Sequence, residues 1–195
     1  LLAGDTDGHI WLFRKLSNHL FPLFSAGTKI EAGGKILSTQ KTGGHARFDV
    51  CDWNNDGKKD LLVADGGGSV GLFLNEGTDA APRLAAGQAV AAGGRPIQRG
   101  GRSSLLVCDW NNDGKKDVLF ADQDNGYVVF LNEGTDAKPV LAEAKPLGLN
   151  KYSRPNMGSF VDWDGDGKKD FLGCHFENNV RFYKNVGPGG SGKEP

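Results

Sequence analysis

The residues best equipped for chemistry recur as one nine-residue stretch. It reads D-W-N-N-D-G-K-K-D at 52–60 and again at 109–117, and D-W-D-G-D-G-K-K-D at 162–170. Positions 1, 3, 5 and 9 hold only Asp or Asn: Asp52, Asn54, Asp56 and Asp60; Asp109, Asn111, Asp113 and Asp117; Asp162, Asp164, Asp166 and Asp170. Short oxygen-bearing side chains at that spacing suit a hard cation such as Ca2+, which takes six to eight oxygens at roughly 2.3 to 2.6 Å. Position 6 is always Gly (Gly57, Gly114, Gly167), where a chain curling round an ion needs a residue free to take positive φ. Position 7 is always Lys (Lys58, Lys115, Lys168), whose contribution to an ion is its backbone carbonyl. An EF-hand would add a bidentate Glu at position 12 and a following helix. Here position 12 is Val63, Phe120 or Gly173, inside an apolar run. A plain turn accounts for N-N-D-G but not for Asp at 1, 5 and 9 in every copy, because crowded carboxylates repel unless a cation joins them. Three calcium sites are therefore expected. The third, with Asp164 in place of Asn, carries one more negative charge and is expected to bind most tightly.

The elements that position such loops follow from composition and repetition. The chain has 195 residues, enough for one sizeable core or one domain of repeats. With 23 basic and 24 acidic residues, it has no bulk charge to recruit nucleic acid or an anionic membrane. Thirty Gly, about twice the usual share, point to many tight turns between apolar runs, and hence to an all-β fold. The longest apolar stretches are too short to span a bilayer, so no membrane insertion is expected. Three Cys exclude a complete disulfide framework, and Cys51 and Cys108 share a repeat position with Val161, which marks a packed apolar site. Cys174 with His175 has no further partner that would make it a ligand pair or a nucleophile and base.

The first loop Asp recurs after 57 and then 53 residues, and the segment after the loop recurs too. Residues 61–78, 118–135, 1–15 and 171–185 are versions of one pattern. Each unit reads as four antiparallel strands: an inner strand entering the loop (48–51, 105–108, 159–161), a second leaving it, and a third paired to the second by a tight turn. A short outer strand then follows Pro22, Pro82 and Pro139, around Phe24, Leu84 and Leu141. Four strands per repeat of this length is the signature of a propeller blade. The expected units are 1–45 (partial), 46–102, 103–156 and 157–186 (partial), followed by a flexible tail at 187–195. The chain opens at a second strand and stops after a third. That predicts either a piece of a longer propeller or self-association through the incomplete blades.

A D-W-[DN]-x-D-G-K-K-D loop, an apolar strand, a D-G type turn and F-x-N-x-G together resemble the FG-GAP or VCBS repeats of calcium-binding β-propellers, which include the integrin α-subunit propeller. The resemblance covers nearly the whole chain apart from the tail. It implies Ca2+ held between the first two strands of a blade, by the loop residues named above. It also implies a secreted or cell-surface setting, with adhesion, lectin-like or polysaccharide-related roles.

If the inner strand runs towards the loop, the turns between second and third strands share the opposite end with the connections between repeats. The connections offer His45, Arg102 and Arg154. The turns offer Asp5, Asp7, Asp65, Asp122, Asp124, Asn125, Glu177 and Asn178. Arg beside carboxylates and amides can hydrogen-bond sugar hydroxyls or uronates, and the same side chains also serve as solvated tips or structural ion pairs. Trp53, Trp110 and Trp163, fixed between two loop ligands, read as packing against neighbouring blades rather than as sugar platforms. Two function classes follow. One is a non-catalytic module binding a glycan or protein ligand. The other is a propeller belonging to a polysaccharide-active lyase or hydrolase, which would need a convergent acid and base or nucleophile.

Overall fold

Strand formation follows the alternation of the sequence, and the second sheet shows how. Leu61 and Val63 turn to one side and Leu62 and Ala64 to the other, and all four are buried. An antiparallel strand usually keeps one polar face; this one is apolar throughout because a neighbouring sheet covers each side.

The structure, a computed structural model, describes residues 1–17, 21–101, 103–122, 126–147, 158–174 and 180–187. Among these the chain is all-β, built of small antiparallel sheets and one 3-10 turn at Gln40–Thr42. The first sheet is β1 (Leu2–Gly4), β2 (Ile10–Leu12) and β3 (Thr28–Lys29), followed by a two-residue-turn hairpin of β4 (Glu31–Ala32) and β5 (Lys35–Ile36). The second sheet is β6 (Arg47–Cys51), β7 (Asp60–Ala64), β8 (Val70–Phe73) and β9 (Gln88–Ala89), followed by the hairpin β10 (Ala91–Ala92) and β11 (Arg95–Pro96). The third is β12 (Ser104–Cys108), β13 (Asp117–Asp122), β14 (Gly126–Phe130) and β15 (Lys145–Pro146). The fourth is β16 (Gly158–Val161), β17 (Asp170–Cys174) and β18 (Val180–Tyr183).

Every loop connects an inner strand to the second strand, and the registers agree from sheet to sheet: Cys51 pairs with Asp60, Cys108 with Asp117 and Val161 with Asp170. The outer strand departs from expectation. Phe24, Leu84 and Leu141 form only isolated bridges, to Lys15, Asn75 and Asn132. Regular pairing starts four residues later, at Thr28, Gln88 and Lys145. Between bridge and ladder the outer segment takes four steps against three on the third strand, so a one-residue bulge interrupts the pairing in each repeat.

The core lies between sheets rather than within them. Ile10 of the first sheet packs with Leu61, Val63 and Phe73 of the second. Leu62, Ala64, Val70 and Trp53 of the second pack on Val118, Phe120, Val128 and Phe130 of the third. Ala121 and Tyr127 of the third pack on Phe171, Phe160 and Tyr183 of the fourth. Each sheet thus presents a forward face to the next sheet's rear face. Full burial of a side chain such as Leu62 or Phe120 contributes about 1.5–3 kcal/mol. The first sheet carries no loop Trp. Where it meets the second there is a cavity of about 540 Å3, lined among others by Leu2, Leu12, Val50, Leu61 and Leu84.

The hairpins fasten the stack sideways. Gly33 N–H donates to the Leu84 carbonyl, and Gly93 N–H to the Leu141 carbonyl, both at 2.9 Å, so each hairpin reaches into the following repeat. Both central residues of each turn have positive φ (Gly33 58°, Gly34 74°; Gly93 58°, Gly94 76°), the geometry of a twisted two-residue hairpin.

Candidate metal loops and the opposite end of the sheets

The loops fold through their own carboxylates. In the first, Asp52 accepts the Asp56 N–H at 3.0 Å and the Gly57 N–H at 2.9 Å, and Asp56 accepts the Lys58 N–H at 3.0 Å. The second repeats this with Asp109, Gly114, Asp113 and Lys115 at the same distances. In the third, Asp162 takes the amides of Gly165 and Gly167 at 2.8 and 3.0 Å. Gly57, Gly114 and Gly167 have φ of 85°, 84° and 85°, as expected at position 6. Position 4 is left-handed as well: Asn55 58°, Asn112 59°, Gly165 76°. Asn and Gly tolerate that conformation best, a signal that was readable in the letters.

The charge arrangement fits a cation. Oxygens of Asp162, Asp164 and Asp166 come within 4.8 Å of one another. Lysine ammonium groups are drawn to these carboxylates: Lys58 to Asp56 at 3.7 Å, Lys115 to Asp113 at 3.5 Å, Lys168 to Asp166 at 3.1 Å, and Lys184 to Asp164. Lys184 therefore offsets the added charge of the third loop. The amide and ammonium of Lys168 hold the Asp166 carboxyl below the usual range. Desolvation opposes the same shift at Asp113, yet the Lys115 amide, Asn111 and the Lys115 charge keep it low.

Position 9 has a different setting. Asp60, Asp117 and Asp170 are almost wholly buried, and both oxygens of each accept backbone amides. One amide is that of the loop Trp (Trp53 2.9 Å, Trp110 2.9 Å, Trp163 3.0 Å). The other belongs to the Asn after the third strand (Asn75 2.7 Å, Asn132 2.8 Å, Asn185 2.8 Å). Burial pushes the Asp60 and Asp117 carboxyls up, against the pull of those amides. Position 9 thus ties the loop to the end of the third strand at the same edge of the sheet and stands behind positions 1, 3 and 5.

Two supports escaped the motif. Asn75 and Asn132 each accept two amides, from Gly77 and Arg83 and from Gly134 and Val140, and so shape the turn. Asp79 and Asp136 cap the position-8 lysine: each accepts its backbone amide at 2.8 Å and its ammonium at 3.3 and 2.9 Å. The signal was the N-E-G-T-D written identically at 75–79 and 132–136.

The three Trp have unequal fates. Trp53 is buried between the second and third sheets, and Trp110 meets Phe160 of the fourth edge-on at 5.3 Å. Trp163 is 65 % exposed. Burial pushes the Cys51 and Cys108 thiols up to about 12, as befits packed apolar positions.

At the opposite end, the turns between second and third strands do meet the connections. The Gly66 amide donates to the Gly44 carbonyl at 2.8 Å, His45 N–H to Thr6 at 3.2 Å, and the Ser103 hydroxyl to the Asp65 carbonyl at 2.7 Å. Asp65 is buried and accepts the amides of Gly67 and Ser69, both at 2.9 Å, so it closes its own turn. His45, at φ 53°, lines a cavity of about 680 Å3 with Asp5, Thr6 and Arg47. Asp122 lies at the end of β13; its side chain and residues Arg102, Asp124, Asn125, Arg154, Glu177 and Asn178 are outside the described residues.

Residues 109–173 match the family model described as an FG-GAP-like repeat, spanning the second loop, β13 to β15 of the third sheet, β16, the third loop and most of β17. None of the curated proteins compared matches the chain.

Proposed function

From the premise that residues 109–173 form an FG-GAP-like repeat, we propose that the chain is a non-catalytic, calcium-stabilised binding module of β-propeller type. Its blade units are 1–45, 46–102, 103–156 and 157–186, with the first and last partial. The observation that carries this reading is the threefold loop: the carboxylates at positions 1, 3 and 5 of the third copy gather at one point, and in all three copies a lysine ammonium lies against the position-5 carboxylate. A divalent ion at each loop would displace those ammoniums and take oxygens from Asp52, Asn54, Asp56 and the Lys58 carbonyl, and from their two counterparts. Asp60, Asp117 and Asp170 would hold the loop in shape behind it. The ion would supply charge neutralisation between two strands, a structural role.

Exposed loops with a few carboxylates suit the weak sites of extracellular modules, with dissociation constants on the order of 0.1 to 1 mM, and therefore a secreted or cell-surface setting. A glycan or protein ligand would sit at the opposite end, where His45, Asp5, Thr6 and Arg47 are the polar part of a cavity otherwise lined mainly by apolar side chains such as Leu2, Phe48, Leu106 and Phe160. Donors beside apolar and aromatic side chains suit hydroxyl-rich ligands that also present an apolar face. A glycan array probed with and without calcium, paired with cleavage assays on the same polysaccharides, tests this. Retention without cleavage is expected. Release of reducing ends, with nothing retained, would overturn the non-catalytic reading.

A further inference from the structure

The forward face of the fourth sheet is uncovered among the described residues. Trp163 is 65 % exposed where its counterpart Trp53 is 5 %, and Val180 is 67 % exposed where Val70 is 2 % and Tyr127 is 7 %. Val161, which alternates on β16 with the inward Phe160, is exposed on the same side, and Phe182 lies beside Trp163 with ring centroids 6.3 Å apart. By the alternation of β18, Val180 and Phe182 point away from Tyr183, which packs into the stack. A contiguous apolar surface of this kind marks a contact site.

The rear face of the first sheet is the complementary surface. Ile10 faces the second sheet, so Trp11 and Phe13 point the other way, with Leu1 beside them at 68 % exposure. Phe13 holds the position of Phe73, Phe130 and Tyr183, each of which sits in a junction between sheets. Inside the chain, three successive junctions join a forward face to a rear face in the same way. The two outer faces are the unmatched halves of a fourth.

We propose that a second copy of this chain occupies the forward face of the fourth sheet, placing there the rear face of its own first sheet, and receives the first copy in the same manner. The contact continues the existing stacking from one chain into another. Two copies joined at both ends close a ring of eight sheets, within the range of closed sheet rings. Head-to-tail contacts that failed to close would instead grow into open filaments. The inference uses only the apolar stacking, so it stands or falls separately from the calcium reading.

Sedimentation velocity at fixed calcium tests it with two variants. Trp163→Asp spoils the forward face and Phe13→Asp the rear face, and a buried aromatic at the centre of a junction should weaken association on the order of a hundredfold. Each variant alone should run as a monomer. Mixed, they retain one intact junction and should form a mixed dimer, which also shows that both are folded. Because Phe13 is partly buried against Gly27, Leu1→Asp serves as a second rear-face variant. A monomeric wild type would overturn the proposal, as would dissociation by Trp163→Asp with no effect from either rear-face change, which would mean two fourth sheets meet face to face.

Discussion

Asp117 has its two oxygens on two amides that lie 22 residues apart in sequence, those of Trp110 and Asn132. Replacing it with Asn leaves one amide facing a buried NH2 group, and an unsatisfied buried donor costs about 1–3 kcal/mol. Urea melts of Asp117→Asn should lose that much, and Asp60→Asn should behave alike. A loss well under that range would mean that water enters the site. The side-chain oxygens at positions 1, 3 and 5 were legible from spacing alone. The clamp at position 9 was not, because Asn132 becomes its neighbour only through the hairpin of β13 and β14. Asp136 offers a pH test. The Lys116 ammonium and amide, against desolvation, hold its carboxyl below the ordinary aspartate value. A depressed folded value means stability present above the unfolded value and lost as pH falls through the folded one. Asp136→Asn should therefore cost about 1 kcal/mol near neutrality, and the gap to wild type should close in acid. Asp79→Asn should cost less, since its ion pair with Lys59 is far more exposed.

At the scale of elements, the inner, second and third strands follow directly from apolar alternation, and the observed inner strands start one residue before the expected bounds and end on them. The outer strand and the two hairpins were harder to read. Thr28–Lys29 and Gln88–Ala89 are short, mostly exposed ladders without an apolar pattern, beginning just after a one-residue bulge. The hairpins β4–β5 and β10–β11 lie in stretches that read as polar, Gly-rich connections, although paired glycines at 33–34 and 93–94 are a recognised hairpin signal. Nothing lies near the position a Gly34 Cβ would take, so φ alone decides a substitution there. Gly34→Ala should cost roughly 1–2 kcal/mol and Gly34→Asn clearly less, as read by thermal unfolding. Equal losses would mean that the turn rearranges.

At the scale of the molecule, the sheets are held by three apolar junctions and by loops that carry the carboxylates at one end. The repeat made this stacking legible, whereas the unequal burial of Trp53, Trp110 and Trp163 was not: identical letters gain different neighbours according to place in the stack. Under the proposed function, the loops bind calcium and the bound ions stabilise the folded sheets. Ligand that binds only the native state adds RT ln(1 + [L]/Kd) per site, about 1.4 kcal/mol per site for each tenfold rise above Kd. The most direct test is the melting temperature across a calcium titration from excess EDTA to millimolar calcium, in magnesium-free buffer. A rise of several degrees that continues with the logarithm of calcium, and is reversed by EDTA, is the predicted result. A melting temperature unchanged from EDTA to millimolar calcium would contradict the account.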